Sequence, residues 1–215
     1  TGGSRSDDGD AVGLEVGSKV AFDNVTIKSV QGTKGVTGLS LDSSYSALEI
    51  KSLVIDGVTS TDAASTDDTF GIDGNGANRT ESQKVDLITI KNVSGAGTGD
   101  VYGFYNQDSV WNGSQLVIDS VTAQNGNAFG FDSYGSSSEG SLSYGPTSVD
   151  YDVIAVSKVT GLEAIGFQNR IRSSSMNSSV VSDFIQVSGV SGTNSAIGLN
   201  NLGTLNASST LVLNV

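Results

Sequence analysis

One short motif is written into this chain seven times, and it constrains the fold more than any bulk property. It reads x-x-Gly-apolar-x-polar. The copies are A-V-G-L-E at Gly13, V-T-G-L-S at Gly38, T-F-G-I-D at Gly71, V-Y-G-F-Y-N at Gly103, A-F-G-F-D at Gly130, A-I-G-F-Q-N at Gly166 and A-I-G-L-N-N at Gly198. Successive glycines stand roughly 25 to 36 residues apart, the spacing at which structural repeats are expected. A second signature, apolar-x-apolar-x-x-Val, lies between the glycines: Val25-Ile27-Val30, Leu53-Ile55-Val58, Ile88-Ile90-Val93, Leu116-Ile118-Val121, Ile154-Val156-Val159 and Ile185-Val187-Val190. The chain stops within a seventh, read as Leu211-Leu213-Val215.

Alternation at period two marks a strand with one buried face. The x-x step before the last Val breaks that alternation and reads as a corner. Each repeat is therefore a strand through the glycine motif, a variable loop, a second strand, a bend at Val and a short return. The loops tolerate insertions, at 62–68, 74–83, 133–151 and 170–177. The longest holds the single Pro, Pro146, together with Tyr134, Tyr144 and Tyr151.

A single repeat has too few apolar side chains to offset the entropy of ordering itself. Stacking the repeats makes two continuous ladders. One is Leu39, Ile72, Phe104, Phe131, Phe167 and Leu199; the other is Ile27, Ile55, Ile90, Ile118, Val156 and Val187. Strands stacked in parallel register, repeat on repeat, make an all-β, right-handed parallel β-helix of about seven turns, roughly 34 Å long at ~4.8 Å per turn. The motif glycine belongs where a Cβ would strike the opposite wall or force a strained φ. An antiparallel sandwich is the competing architecture. Its Asn-Gly hairpin signals, Asn112-Gly113 and Asn125-Gly126, fall at inconsistent places in the repeat. The domain reading is a flexible acidic segment over residues 1–10, then one β-helix over 11–215 that belongs to a longer chain or a stack.

Composition narrows the function classes. With 28 Gly, one Pro and abundant Ser, Thr, Asn and Val, the 215 residues favour strands and turns. A formal charge of -12, with only 11 Lys and Arg, argues against a nucleic-acid partner. There is no Cys and no His, so neither a disulfide framework nor a thiolate zinc site can form. Absent cysteines also suit a bacterial chain that crosses a membrane unfolded. No apolar run approaches the ~20 residues of a membrane span. The chain opens at Thr1 without a signal peptide, as a mature product or an excised piece would.

The G-[FLI]-x-[ND] copies carry a resemblance: Gly71-Ile72-Asp73, Gly103-Phe104, Gly130-Phe131-Asp132, Gly166-Phe167-Gln168-Asn169 and Gly198-Leu199-Asn200. With the interleaved I-x-I-x-x-V strands, they make the whole chain resemble the passenger region of bacterial autotransporters, the surface β-helices of type V secretion. That resemblance implies an extracellular place on the bacterial outer surface. It also implies a non-catalytic adhesin or fibre role, with a host or neighbouring-cell ligand, glycans, or other copies of the chain as partners. No cofactor, metal or catalytic residue is expected.

Other β-helices are polysaccharide lyases, hydrolases or phage tailspikes, and purely structural filament subunits form a third class. The best carboxylate cluster for such chemistry is Asp62, Asp67, Asp68 and Asp73, with Arg79 and Glu81. It reads more simply as a solvated acidic loop. The candidate binding residues are the aromatic group Tyr102, Tyr105, Trp111, Phe129 and Tyr134, of which alternation turns Tyr102, Tyr105 and Phe129 outward. Candidate self-association residues are Leu211, Leu213 and Val215, on a last strand that no polar cap follows.

Overall fold

The computed structural model describes residues 9–41, 46–75, 82–107, 109–135, 147–171 and 178–215. Among these residues every element is a strand: β1 (Ala11–Val16), β2 (Lys19–Gly32), β3 (Val36–Leu41), β4 (Ala47–Ser60), β5 (Thr69–Asp73), β6 (Gln83–Gly95), β7 (Val101–Gln107), β8 (Val110–Ala123), β9 (Ala128–Gly135), β10 (Thr147–Ile171), β11 (Ser178–Asn201) and β12 (Thr204–Leu213). They form one 12-stranded sheet in which every pairing is parallel, and the sheet nearly closes on itself in a solenoid-like shape. Two rows run side by side. Short strands β1, β3, β5, β7 and β9 pair in sequence and continue through the second halves of β10 and β11. Long strands β2, β4, β6 and β8 continue through the first halves of β10 and β11 to β12.

Both predicted ladders lie in register. Leu14 precedes the series Leu39, Ile72, Phe104, Phe131, Phe167 and Leu199. Ile27, Ile55, Ile90, Ile118, Val156 and Val187 pair in order and end on Val212. Phe104, Phe131 and Phe167 stack nearly parallel at 5.5 and 4.6 Å in the core. At about 1.5–3 kcal/mol for each large apolar side chain withdrawn from water, such ladders supply the main stabilisation.

The motif glycines are explained by contact. A Cβ on Gly130 would stand 2.3 Å from Val156 Cγ1 and 2.5 Å from the Gly166 carbonyl oxygen; one on Gly71 would meet Gly103 O at 2.4 Å and Ile90 Cγ2 at 2.6 Å. Here the short row touches the Ile and Val of the long row, and no side chain fits between. Of the two expected reasons, collision applies and strained φ does not. The strained residue lies in the other row, immediately before each Val: Ser29, Gly57, Asn92, Ser120, Lys158, Gly189 and Asn214 all have φ between 54° and 81°. That is the corner that the broken alternation predicts. Each level needs one left-handed residue there, which Gly and Asn accept at least cost.

The last repeat is phased differently from the expectation. Val212, not Leu213, pairs with Val187, and Leu211 and Leu213 pair with Gln186 and Ser188 on the outward side. Val212 and Val215 face the motif glycine, Gly198. Hydrophobicity favours Leu211-Leu213, but the left-handed Asn214 fixes the phase one residue later. Two boundaries also move. Gly9 and Asp10, assigned to the N-terminal segment, already hold the fold: the Gly9 carbonyl accepts Thr33 and Lys34 N–H, and Asp10 Oδ1 accepts Gly35 N–H at 3.0 Å. Tyr134 and Tyr151, counted in the longest insertion, belong to β9 and β10. Pro146, Tyr144, Arg79 and Glu81 lie outside the described residues.

Candidate functional site

Side chains on the outer face of the short row converge into one patch. Thr37, Phe70, Tyr102, Phe129, Ile165 and Ile197 form its first column. Phe70 and Tyr102 stack at 5.0 Å with 8° between planes, and Tyr102 and Phe129 stack at 4.8 Å with 10°. Tyr105, one column over, leans on Tyr102 at 5.1 Å and on Phe70 at 5.7 Å. Its hydroxyl donates to Gln107 Oε1 at 2.6 Å. Alternation resets at each motif glycine, which is why Tyr102 and Tyr105 share a face although Phe104 points inward.

Tyr102, Tyr105 and Phe129 are therefore outward and together, as expected. Direction is not exposure, however. Tyr102 is buried by its neighbours, and the stack turns ring faces towards one another along the axis, leaving edges to solvent. Burial pushes the Tyr102 and Tyr105 hydroxyls far above the ordinary tyrosine range, with the nearby aspartates adding to it. Phe70, which the sequence reading passed over, completes the stack.

Trp111 does not belong to this patch. It is fully buried, set edge-on to Phe104 at 5.1 Å, and its indole N–H donates to Ser109 Oγ at 2.9 Å. As a binding residue it is corrected: it fills the core where β8 begins. Tyr134 is beside the patch but already engaged. The Arg170 guanidinium lies 4.5 Å from its ring centroid and grips Asp132 with two bonds, Nε to Oδ1 at 3.1 Å and Nη2 to Oδ2 at 2.6 Å. Asp132 is 0 % exposed. Burial pushes its carboxyl up, and Arg170 pulls it only part of the way back. Arg170 is lowered by burial but raised on balance by its bonds to Asp132. A forked guanidinium on a buried carboxylate is a strong, oriented contact, and it ties β9 to β10 at the base of both neighbouring insertions.

The acidic cluster resolves into separate structural tasks. Asp62 Oδ1 accepts Ala64 N–H at 2.9 Å, and Asp73 Oδ1 accepts Asn75 N–H at 3.0 Å, each closing its own turn. Asp68 Oδ1 accepts Asp100 N–H at 2.8 Å; Asp100 Oδ1 accepts from Asn127 Nδ2 at 3.0 Å; Asn127 Oδ1 accepts Glu163 N–H at 3.2 Å. With Asp10 and Gly35 this makes a polar ladder three residues before the motif glycine. Its signal, Asp or Asn at that offset, is present at Asp10, Asp68, Asp100 and Asn127 and escaped the sequence reading. Burial raises the Asp68 and Asp73 carboxyls. Among the described residues, no three Asp or Glu side chains converge as ligands for a metal ion.

No protein-family model, curated protein or solved structure matches this chain.

Two further surface features lie apart from this patch. A groove of about 500 Å³ crosses β2, β4, β6 and β8, bordered by the charged side chains Asp23, Glu49, Lys51, Lys84 and Asp86 and open at the β2 end to Phe22. Lys51 and Asp23 pair across it at 2.6 Å, both largely exposed, so the pair adds little stability. The second feature is the pair of sheet ends. Among the described residues β1 pairs only with β3, β2 only with β4, and β12 only with β11. At the β12 end Leu202, Leu211, Val212, Leu213 and Val215 are exposed; at the β2 end, Phe22. The expected self-association residues thus lie at an open edge, though Leu211 and Leu213 flank the inward row instead of forming it.

Proposed function

We propose that the chain is a right-handed parallel β-helix of seven turns, serving at the bacterial outer surface as a non-catalytic adhesin or fibre-forming segment. Parallel strands joined by a crossover in one sheet are almost always right-handed. The recurrence of one left-handed corner before each Val supports the count of turns. One observation carries the functional reading: among the described residues the β12 end is an unpaired, apolar strand edge without charged side chains, and such edges are templates for pairing with another strand. The resemblance to autotransporter passengers fits the same place and role. Partners are a host or neighbouring-cell ligand or further copies of the chain. For glycans, Phe70, Tyr102 and Phe129 turn their ring faces to one another, so sugar contact along that column would be lateral.

Electron microscopy of the purified chain over a concentration series tests this reading. Rods that lengthen with concentration indicate a fibre segment. Rods of constant length that bind bacterial or host cell surfaces indicate an adhesin. Constant rods with no surface binding would sink both.

The groove beside Asp23, Glu49 and Asp86 favours a second reading, a carbohydrate-active β-helix. Depolymerisation of a polysaccharide, lost in Asp86→Ala, would establish it in place of the first.

A further inference from the structure

We propose that the C-terminal end of the sheet accepts the N-terminal end of a second copy of this chain, head to tail and in register, by parallel strand addition. This rests on the reading that the chain associates through its ends, and adds the polarity and the residues. The interface would repeat the contact already made between every adjacent pair of levels within one chain. Follow the columns through the molecule. The ladder that begins at Ile27 ends at Val212, the one that begins at Leu14 ends at Leu199, and the left-handed corners begin at Ser29 and end at Asn214. A copy added in register sets Ile27 beside Val212, Val30 beside Val215, Leu14 beside Leu199 and Gly13 beside Gly198. Like meets like in each column, and the bends coincide.

Two details at the ends agree. Phe22 is 49 % exposed, although it opens the inward column that continues with Ile50 and Val85. The same column closes on the small side chain of Ala207, which pairs with Ser182. Charge is also compatible. Residues 191–215 carry no charged side chain, whereas the first level carries Asp10, Glu15, Lys19, Asp23, Lys28 and Lys34. In register Lys28 falls beside Leu213 and Glu15 beside Asn200, so no like charges meet. Tail-to-tail pairing would set β12 antiparallel to its copy, and the corner at Asn214 would then face a strand start. A heterologous contact of this kind does not close, and it propagates into a filament.

Two variants and their mixture decide the matter, followed by sedimentation velocity. Phe22→Lys with Val30→Lys blocks the N-terminal end; Val212→Lys with Val215→Lys blocks the C-terminal end. Both double variants keep the central levels, and a strand-type circular dichroism spectrum verifies that each is folded. The wild-type chain should grow in mass with concentration, each variant alone should sediment as a single chain, and an equimolar mixture should stop at a dimer. Self-association of the N-blocked variant would mean tail-to-tail contact, and self-association of the C-blocked variant head-to-head contact. Either would overturn this inference and leave the end-association reading standing. A mixture that stays monomeric while the wild type assembles would also overturn it. A wild-type chain that is monomeric throughout would remove both end association and this inference, leaving adhesion through the lateral surface.

Discussion

The two ends of the sheet are built from the same columns yet treat their open edges in opposite ways. At the β1–β2 end six charged residues are interspersed along the first level, and one large apolar side chain, Phe22, is exposed. At the β12 end there is no charge over 25 residues, and Leu202, the most exposed of its apolar side chains, reaches 63 %. Lysine and carboxylate on an edge strand deter unspecific pairing, because a second strand would have to desolvate them. One edge is thus guarded and the other is not. The backbone is the same at both ends, and the difference lies in which columns carry charge when they reach the surface; end-to-end growth of the kind proposed above would be directional for that reason alone.

The middle of the molecule is the reference against which both ends are measured, and the largest expected effect lies there. Phe131→Ala removes a fully buried ring held between Phe104 and Phe167, and should cost about 3–5 kcal/mol in chemical denaturation. Leu199→Ala, in the same column at the open end, should cost under about 2 kcal/mol, since part of that side chain is already hydrated. Equal losses would mean that the ends are as well packed as the centre.

Arg170→Met comes next. It leaves Asp132 buried without its partner and should cost about 3 kcal/mol at pH 7. The loss should shrink in acid, where protonation of Asp132 removes the uncompensated charge. A penalty independent of pH would show that the guanidinium matters through packing on Tyr134 alone. Gly130→Ala is expected to cost about 1–3 kcal/mol, because its Cβ meets both Val156 and the Gly166 backbone. Gly198→Ala should cost less, as its near neighbours are the side chains of Val212 and Val215 on the open edge.

The pH profile is a smaller test. Asp68, Asp73 and Asp132 are raised by burial, so the folded chain holds protons that the unfolded chain releases. Their contribution is complete below the unfolded carboxylate range and is lost as pH rises through the folded values. Asp119, lowered by its bonds to Ser157 and Lys158 and by the Lys158 charge despite some burial, acts oppositely and only in stronger acid. Melting temperature should therefore rise when pH falls from 7 towards about 4.5. A monotonic fall would contradict these directions. The smallest effect is Ser29→Gly, which relieves a left-handed serine at the guarded end and should stabilise by about 0.5 kcal/mol against the loss of chain entropy.

The ladders were legible because period two and a fixed corner leave few registers open. Ile27, Ile55 and Ile90 can stack only if each level starts at the same offset. Trp111 was misplaced for a related reason. It follows a loop of variable length, so its register comes from Gln83 and Val149 on the neighbouring strands and from no feature of the motif. In the last level hydrophobicity and the corner residue disagree: Leu211 and Leu213 are more apolar than Thr210, but the left-handed Asn214 sets the phase. Within the patch, the sequence could show that Tyr102 and Tyr105 point outward. It could not show that parallel stacking would use up their faces, which depends on the distance between levels. The Arg170–Asp132 grip spans two loops of unrelated length, and no local pattern announces it.

Tyr151 of β10, fully buried, donates its hydroxyl to the Val85 carbonyl at 3.0 Å, and its ring passes Gly113, where a Cβ would come within 2.7 Å of it. A chain of near-identical levels has a hazard that an ordinary domain lacks. A folding segment can dock one level too early or too late and still bury its valines and satisfy its corners. Tyr151 reaches past β8 to β6, and only the level holding Gly113 lets it through. It acts as an address label. A docking error by one level would drive the phenol into a side chain and take its hydroxyl from the Val85 carbonyl, so packing at Tyr151 opposes a shifted register that the repeat itself would tolerate.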